Sequence, residues 1–308
     1  MRPAGESGSE RSKTTHQLND VKFAKARLAT GVALHYAERG DREGEAIVSL
    51  HAYTDSWFSF SRMLPLPSPE YHAFAFDQRG HRDSDKPECC YTVDDFTADV
   101  DAFIDEVGIE EATLVGDSSG GMIAQRVALD YSHRVSRLVL IGSPTTLVNN
   151  EAVIDAGKEM VALENPIRPE LVREFHLSTI HHSVLEGFLS TALFETLKVP
   201  ARVWRDYYEG VLLAVDDTAR LGQIGAPTLI LWGERDAILG REEQERRAAA
   251  IPDATLRSTP IRATRLPESG QSGSCGIGGV HKRYPSRLEP PDTDSAPSLT
   301  LLSELLAL

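Results

Sequence analysis

The stretch Ala112-Thr113-Leu114-Val115-Gly116-Asp117-Ser118-Ser119-Gly120-Gly121-Met122 constrains this chain more than any other. An apolar run ends in G-x-S-x-G, and a helical pattern follows from Met122 to Leu129. Strand, sharp turn and helix in that order are the layout of a nucleophile elbow. Such a turn forces its central residue, Ser118, into a strained backbone conformation. Gly116 and Gly120 are then required, because a Cβ at either position would meet the neighbouring strand or helix. The hydroxyl of Ser118 is lifted above the sheet edge. The next N–H, on Ser119, sits at a helix N-terminus, where partial positive charge can hold an oxyanion. The plainer alternative is a Gly/Ser turn closing an ordinary βα unit.

The surroundings of the motif favour the first reading. Strand-like runs at Ala24–Ala29, Val32–Ala37, Ala46–Leu50, Phe74–Phe76, Leu138–Ile141, Thr228–Trp232 and Ala254–Leu256 alternate with helical patterns at Tyr91–Val107 and Arg241–Ala250. Alternation of this kind predicts an α/β fold, a three-layer sandwich around a mostly parallel sheet, with sites at the carboxyl ends of strands. His51, Asp77, Ser118 and Asp236 all fall just past such ends. Between about 146 and 216 the pattern is helical only, at Val153–Leu163, Pro169–His176, Leu185–Leu197 and Trp204–Ala214, which predicts a helical cap inserted into the core. The expected organisation is a disordered leader (1–22), a core in two parts (23–145 and 217–258) around the cap (146–216), and an atypical, disordered tail (259–308).

Composition limits the partners. The formal net charge of -14 opposes nucleic acid and anionic membrane surfaces. No run of about 18 apolar residues predicts a membrane span, and the polar N-terminus lacks the apolar core of a secretory signal. Cys89 and Cys90 are adjacent, a poor arrangement for a disulfide, and with Cys275 they fit a reduced, cytoplasmic setting. No metal-ligand spacing and no cofactor motif occurs. The close pair His181-His182 reads as polar helix surface. A small-molecule substrate is the expected partner, and no feature of the sequence fixes an oligomeric state.

Taken together and in order, His51-Ala52-Tyr53, Asp77-Gln78-Arg79-Gly80-His81, Gly116-Asp117-Ser118-Ser119-Gly120-Gly121 and Trp232-Gly233-Glu234-Arg235-Asp236 give the chain a resemblance to the α/β-hydrolase superfamily, from about Ala24 to Leu256. The resemblance implies a Ser…Asp…His triad in that chain order. Ser118 would be the nucleophile, which needs a base because a free hydroxyl is almost never ionised at neutral pH. Asp236 would orient that base and stabilise its imidazolium; its plainer role is that of a turn aspartate. The backbone N–H of Tyr53 would join that of Ser119 in the oxyanion hole. Ala52 departs from the family's usual glycine, a penalty if φ there must be positive. Asp117 stands where the family often has histidine. Arg79 and Asp83 read as structural. Trp57, Phe58, Phe188 and Trp204 are candidate walls of an apolar pocket over Ser118. Serine at the elbow argues against haloalkane dehalogenase and most epoxide hydrolase chemistry, which use aspartate there in this fold. The implied activity is hydrolysis of a small ester or related acyl compound. The alternatives are a cofactor-free haloperoxidase or perhydrolase, a carbon–carbon hydrolase of diketones, or a non-catalytic binding protein or decayed gene product.

The base is missing. The family places a Gly-His loop after its last strand, but the only histidine beyond Asp236 is His281, in a segment without core pattern. Read from the third base of each codon, with permitted G+C-rich choices, Pro260 through Gly276 becomes Asp-Ser-Gly-His-Ala-Pro-Ala-Gly-Glu-Arg-Pro-Glu-Arg-Phe-Val-Arg-Asp. That is the absent loop and the start of a closing helix. The sequence therefore predicts a frameshift near Arg257–Pro260, loss of the helix that covers one sheet face, low stability and little activity.

Overall fold

The computed structural model of the chain describes residues 20–68, 70–179, 185–236 and 238–259. Its strands are β1 (Lys22–Arg27), β2 (Ala33–Gly40), β3 (Ala46–Leu50), β4 (His72–Phe76), β5 (Ala112–Asp117), β6 (Val135–Ile141), β7 (Thr228–Gly233) and β8 (Ala254–Thr259). They form one eight-stranded sheet in the order β1-β2-β4-β3-β5-β6-β7-β8. β1, β2 and β4 pair antiparallel, and every pair from β4 through β8 is parallel. This is the mostly parallel α/β sheet expected from the alternating pattern. Parallel neighbours need long crossovers, which helices supply. Strands such as Ala46–Leu50 are buried throughout because both faces are covered.

The helices are α1 (Val93–Glu106), α2 (Ser119–Asp130), α3 (Glu151–Val161), α4 (Pro169–Thr179), α5 (Glu186–Thr196), α6 (Ala201–Tyr207) and α7 (Arg241–Ala250). α1 begins where the sequence marks it. The Thr92 hydroxyl accepts from the Asp95 N–H, and the Asp95 carboxylate accepts from the Thr92 N–H at 2.9 Å. That reciprocal cap satisfies two otherwise orphaned donors, and Asp94 and Asp95 complement the helix dipole.

Strand register sorts the side chains into two faces. Phe74, Val48, Leu114 and Leu138 lie in one row, and Phe76, Leu50, Gly116, Leu140 and Ile230 in the next. Onto these rows α1 sets Phe96, Val100, Phe103 and Ile104, and α2 sets Met122, Ile123 and Val127. Each large side chain buried this way contributes about 1.5–3 kcal/mol. The opposite face carries Val115, Val139, Ile141, Leu229 and Leu231, with Ile47, Ala73 and Ala75 towards β4. These residues are buried as well, so the exposed apolar face expected from the sequence is not observed.

Helices α3 to α6 lie between β6 and β7, and an isolated bridge pairs Thr146 with Asp216 at the base of the insertion. Arg126 of α2 grips Asp217 at 2.8 Å, and Arg82 pairs with Glu195 of α5. The expected helix at Trp204–Ala214 instead comprises α6 and a π turn, Tyr208–Leu212. Among the described residues no helix is long and apolar enough to cross a membrane. One expectation is corrected here: Cys89 and Cys90 are joined by a disulfide. Cys90 adopts φ +74°, so the chain turns sharply between the two residues and brings the sulfurs together.

Candidate active site

Ser118 sits between β5 and α2 with φ +51° and ψ −120°. That positive-φ conformation costs a non-glycine residue about 1–3 kcal/mol and persists only where the surroundings impose it. They do so from both sides. The Ser118 N–H donates to the Ile141 carbonyl at 2.9 Å, and the Ser118 carbonyl accepts from the Gly121 N–H at 2.9 Å. A Cβ on Gly116 would stand 2.3 Å from the Cα of Gly121, and one on Gly120 would stand 2.3 Å from the Leu50 carbonyl oxygen. Strand and helix thus approach more closely than any side chain permits, and the bend between them lifts Ser118 to the sheet's rim.

Ser119 is the first residue of α2, so its N–H has no intrahelical acceptor. Its buried hydroxyl accepts from the Tyr207 hydroxyl at 3.0 Å. Burial raises Tyr207 above the ordinary tyrosine range, which keeps it a neutral donor. Tyr53 approaches from the loop after β3. Its ring centroid is 5.4 Å from that of Tyr207, and its hydroxyl donates to the Trp204 carbonyl at 2.7 Å. The two residues predicted as oxyanion donors therefore meet around one tyrosine of α6. Ala52 does not carry the strain of this loop; the positive φ falls on Thr54, at +65°.

Asp236 lies in the turn beyond β7. Its Oδ1 accepts from the Ile238 and Leu239 N–H groups, each at 2.9 Å, and this fixes the carboxylate's orientation. β5 and β7 flank β6 and run parallel to it, so Ser118 and Asp236 rise from the same edge of the sheet.

No described histidine is placed as that ring. His51 is fully buried: its Nδ1–H donates to the Ala52 carbonyl, and its Nε2 accepts from the Gln78 N–H at 3.0 Å. Burial holds it well below the ordinary histidine value. It ties the loop after β3 to the loop after β4. His81 donates from Nδ1 to the Arg79 carbonyl, has no partner at Nε2, and is pushed down to about 4 by burial. His176 donates to the Thr196 hydroxyl at 2.8 Å and is likewise lowered to about 4 by burial. His181, His182 and His281 lie outside the described residues.

The remaining predicted residues make the following contacts. Arg79 makes a two-pronged pair with Asp99, both bonds 2.6 Å. Asp83 is exposed and pairs with Arg82 and Lys198. Trp204 is buried between the rings of Tyr53 and Phe175, so it is core packing. Trp57 packs under Arg82. Phe58 and Phe188 stack at 5.0 Å across the insertion. His35, Asp77 and Asp83 lie close enough together to suggest a metal site. Asp77, though, already accepts from His35 at 2.7 Å and from the Trp57 N–H at 2.9 Å, with Arg82 nearby. One buried cation lay outside sequence reasoning. Arg247 of α7 donates to the Thr145 hydroxyl and the Ser143 carbonyl, and burial lowers it to about 10 against the pull of Glu243. The charged and polar run Arg241–Arg247 of α7 hides which of its sides faces inward.

Comparison with known proteins agrees with this architecture. A family model described as the alpha/beta hydrolase fold matches residues 45–218. Epoxide hydrolase 4 of Mus musculus is 25% identical over 240 residues, covering 70% of this chain and 66% of that protein. The chain thus spans just under two thirds of that relative. The 2-hydroxy-6-oxononadienedioate/2-hydroxy-6-oxononatrienedioate hydrolase 2 of Pseudomonas putida is 28% identical over 268 residues, covering 78% of this chain and 88% of that protein. The crystal structure of a hydrolase from Pseudomonas aeruginosa shares the fold, with a TM-score of 0.71 at 22% identity over 79% of this chain and 91% of its own. With the family model matching more than half of its residues, the chain belongs to the alpha/beta hydrolase fold family.

Proposed function

We propose that this chain is built as a serine hydrolase of small esters or related acyl compounds, with Ser118 as nucleophile. The observation that carries the reading is the strained Ser118 backbone, enforced by the close approach at Gly116 and Gly120. In this reading the Ser118 hydroxyl attacks the acyl carbon, and the N–H groups of Ser119 and Tyr53 hold the oxyanion that forms. Collapse expels the alcohol and leaves an acyl-enzyme, which water then hydrolyses. Asp236 would orient an imidazole between itself and Ser118. The helical insertion would serve as a cap, with Phe58 and Phe188 as part of an apolar wall.

His51, His81 and His176 are all engaged elsewhere, and in this reading the base belongs to a loop after β8. A chain without it retains only what binding and the oxyanion hole supply, roughly 10³–10⁴-fold over water. The epoxide hydrolase relatives bear on fold more than on chemistry here, since position 118 is serine and not the aspartate that chemistry uses. A second reading, hydrolysis of a carbon–carbon bond, is favoured by the name of the Pseudomonas putida relative and would use the same serine.

A fluorophosphonate probe tests the proposal. The expected result is phosphonylation of the peptide containing Ser118, abolished in Ser118→Ala. Complete silence of the folded chain, persisting when the shifted-frame segment with its histidine follows Thr259, would favour a non-catalytic binding protein and reject the hydrolase reading.

A further inference from the structure

The bridge between Cys89 and Cys90 joins neighbours in the chain. A structural disulfide stabilises chiefly by closing a loop in the unfolded chain, and the effect grows with the length of that loop. A bond between adjacent residues closes almost none, so its consequences are local. Both cysteines are also exposed. Exposed disulfides are the readily exchanged ones, because an attacking thiolate can reach a sulfur.

The bridge sits in a strap that ties the helical insertion to the core. The Cys90 carbonyl accepts from Arg79 Nη1 at 2.7 Å, on the guanidinium that pairs with Asp99. The carbonyls of Lys86 and Pro87 accept from Arg202 of α6, the former at 2.6 Å. The Tyr91 hydroxyl donates to the same Pro87 carbonyl at 2.8 Å. A Cβ on Gly80 would stand 2.6 Å from both the Tyr91 ring and Val203 of α6, so strap, core loop and α6 meet without room between them. Residues 86–91 thus aim backbone carbonyls at two arginines, one in the core and one in the insertion. The direction of the last carbonyl depends on Cys90, whose φ is +74°. In an open chain that region is disfavoured for a side-chain-bearing residue by about tenfold. A ring closed through a single peptide bond leaves the backbone few alternatives to such a turn.

We propose that Cys89 and Cys90 form a reversible dithiol–disulfide site, and that its oxidised state fixes the 86–91 strap between Arg79 and Arg202. The reductant is a dithiol. Its first thiolate attacks one cysteine sulfur, the S–S bond breaks, and the other cysteine leaves as a thiolate. The second thiol of the reductant then displaces the first cysteine from the mixed disulfide and closes the reductant's own disulfide. Two electrons and two protons end on Cys89 and Cys90. Cys90 is then free to leave positive φ, and the strap slackens against α6, the helix whose Tyr207 bonds to Ser119. The site stands independently of the chemistry assigned to Ser118.

The test uses the full chain in its native state. One sample is oxidised with diamide and another reduced with dithiothreitol; both are then alkylated with iodoacetamide and mapped by mass spectrometry. After diamide, Cys89 and Cys90 should both be unmodified, in a peptide lighter by a pair of hydrogens. After dithiothreitol both should be alkylated. Cleavage after the exposed Glu88 by a glutamate-specific protease reads the strap itself. Reduction should speed that cleavage by about tenfold, the penalty for positive φ in the open chain. Cys89→Ser with Cys90→Ser should cleave at the reduced rate in either buffer, which separates the bridge from other effects of the reductant. Free thiols at both positions after diamide, or a bond from either to Cys275 or to a second chain, would overturn the proposal. So would reduction that requires denaturant, or cleavage after Glu88 that is indifferent to reduction, whatever the serine variant does.

Discussion

Acid should unfold this protein early, and the cause is three buried histidines. His51 and His81 meet edge to face at 4.8 Å between centroids, and His176 is buried within the insertion. Burial holds His81 and His176 at about 4, and His51 well below its ordinary value. Protonating His51 at Nε2 would also destroy the bond from the Gln78 N–H. In the unfolded chain all three take up protons near pH 6.5. Their folded values are depressed, so the unfolded state binds more protons as pH falls below 6.5, and stability is lost from there down to about 4. Each group contributes roughly 1.4 kcal/mol per pH unit in that window, and the three together about 4 kcal/mol per unit. By pH 5 the loss is about 6 kcal/mol, comparable to the whole stability of a typical domain, about 5–15 kcal/mol. Asp77 and Glu243 work the other way, since burial raises them and their protonation favours the folded state, but they act only nearer the carboxylate range. Urea midpoints at pH 7.5, 6.5, 6.0 and 5.5 measure the slope. His176→Asn should reduce it by about a third. A midpoint that stays constant from pH 7.5 to 5.5, or a slope indifferent to His176→Asn, would refute the argument.

Single contacts carry the other expectations. Gly120→Ala sets a methyl 2.3 Å from the Leu50 carbonyl oxygen, where only backbone can give way. It should cost about 1–3 kcal/mol in denaturant unfolding and abolish fluorophosphonate labelling. Tyr207→Phe orphans the buried Ser119 hydroxyl and should cost about 1–3 kcal/mol; adding Ser119→Ala should recover most of that loss in a double-mutant cycle, and strict additivity would deny the bond. Replacing everything after Thr259 by the shifted-frame sequence should raise p-nitrophenyl acetate hydrolysis by about 10³-fold or more, and changing its histidine to alanine should remove the gain. DNA sequence across Arg257–Gly276 whose codons exclude that reading would end the frameshift explanation.

Local chemistry was legible and long-range packing was not. Ala46–Leu50 and Arg241–Ala250 stand as strand and helix at the limits their patterns suggest. Thr92 caps α1 because a hydroxyl three residues before a carboxylate has one favourable use there. The elbow is legible for a steric reason: glycine at 116 and 120 is a requirement written in residue type. Tyr207 carried no such mark. It reaches Ser119 across 88 residues of sequence, and Tyr53 reaches Trp204 across 151. The single helix expected at Trp204–Ala214 changes to a π turn at Tyr208, where the chain passes close to α1's cap. A Cβ on Gly210 would stand 2.5 Å from the Tyr91 carbonyl oxygen. Periodicity cannot foresee such a contact. Nor does composition reveal that the buried side of α7 carries Gln244 and Arg247.

In the proposed reading, proton transfer and nucleophile geometry are separable, with Thr259 as the boundary. Ser118 is held in a strained conformation by β5, β6 and α2, and Asp236 is oriented by the backbone beyond β7. Among the described residues, the partners that set both arrangements precede the end of β8. The register Gly233↔Thr259 sets the ends of β7 and β8 level, at the sheet edge from which the turns of Ser118 and Asp236 leave. Strain at Ser118 is retained by the packing whether or not a base arrives, because Gly116 and Gly120 leave the chain no relaxed alternative. Nucleophile, orienting acid and oxyanion donors thus form one prefabricated unit in the proposed reading, and the imidazole is a separate part delivered by the segment after β8. In that reading, a chain without the histidine loop would lose proton transfer while keeping the strained bend at Ser118.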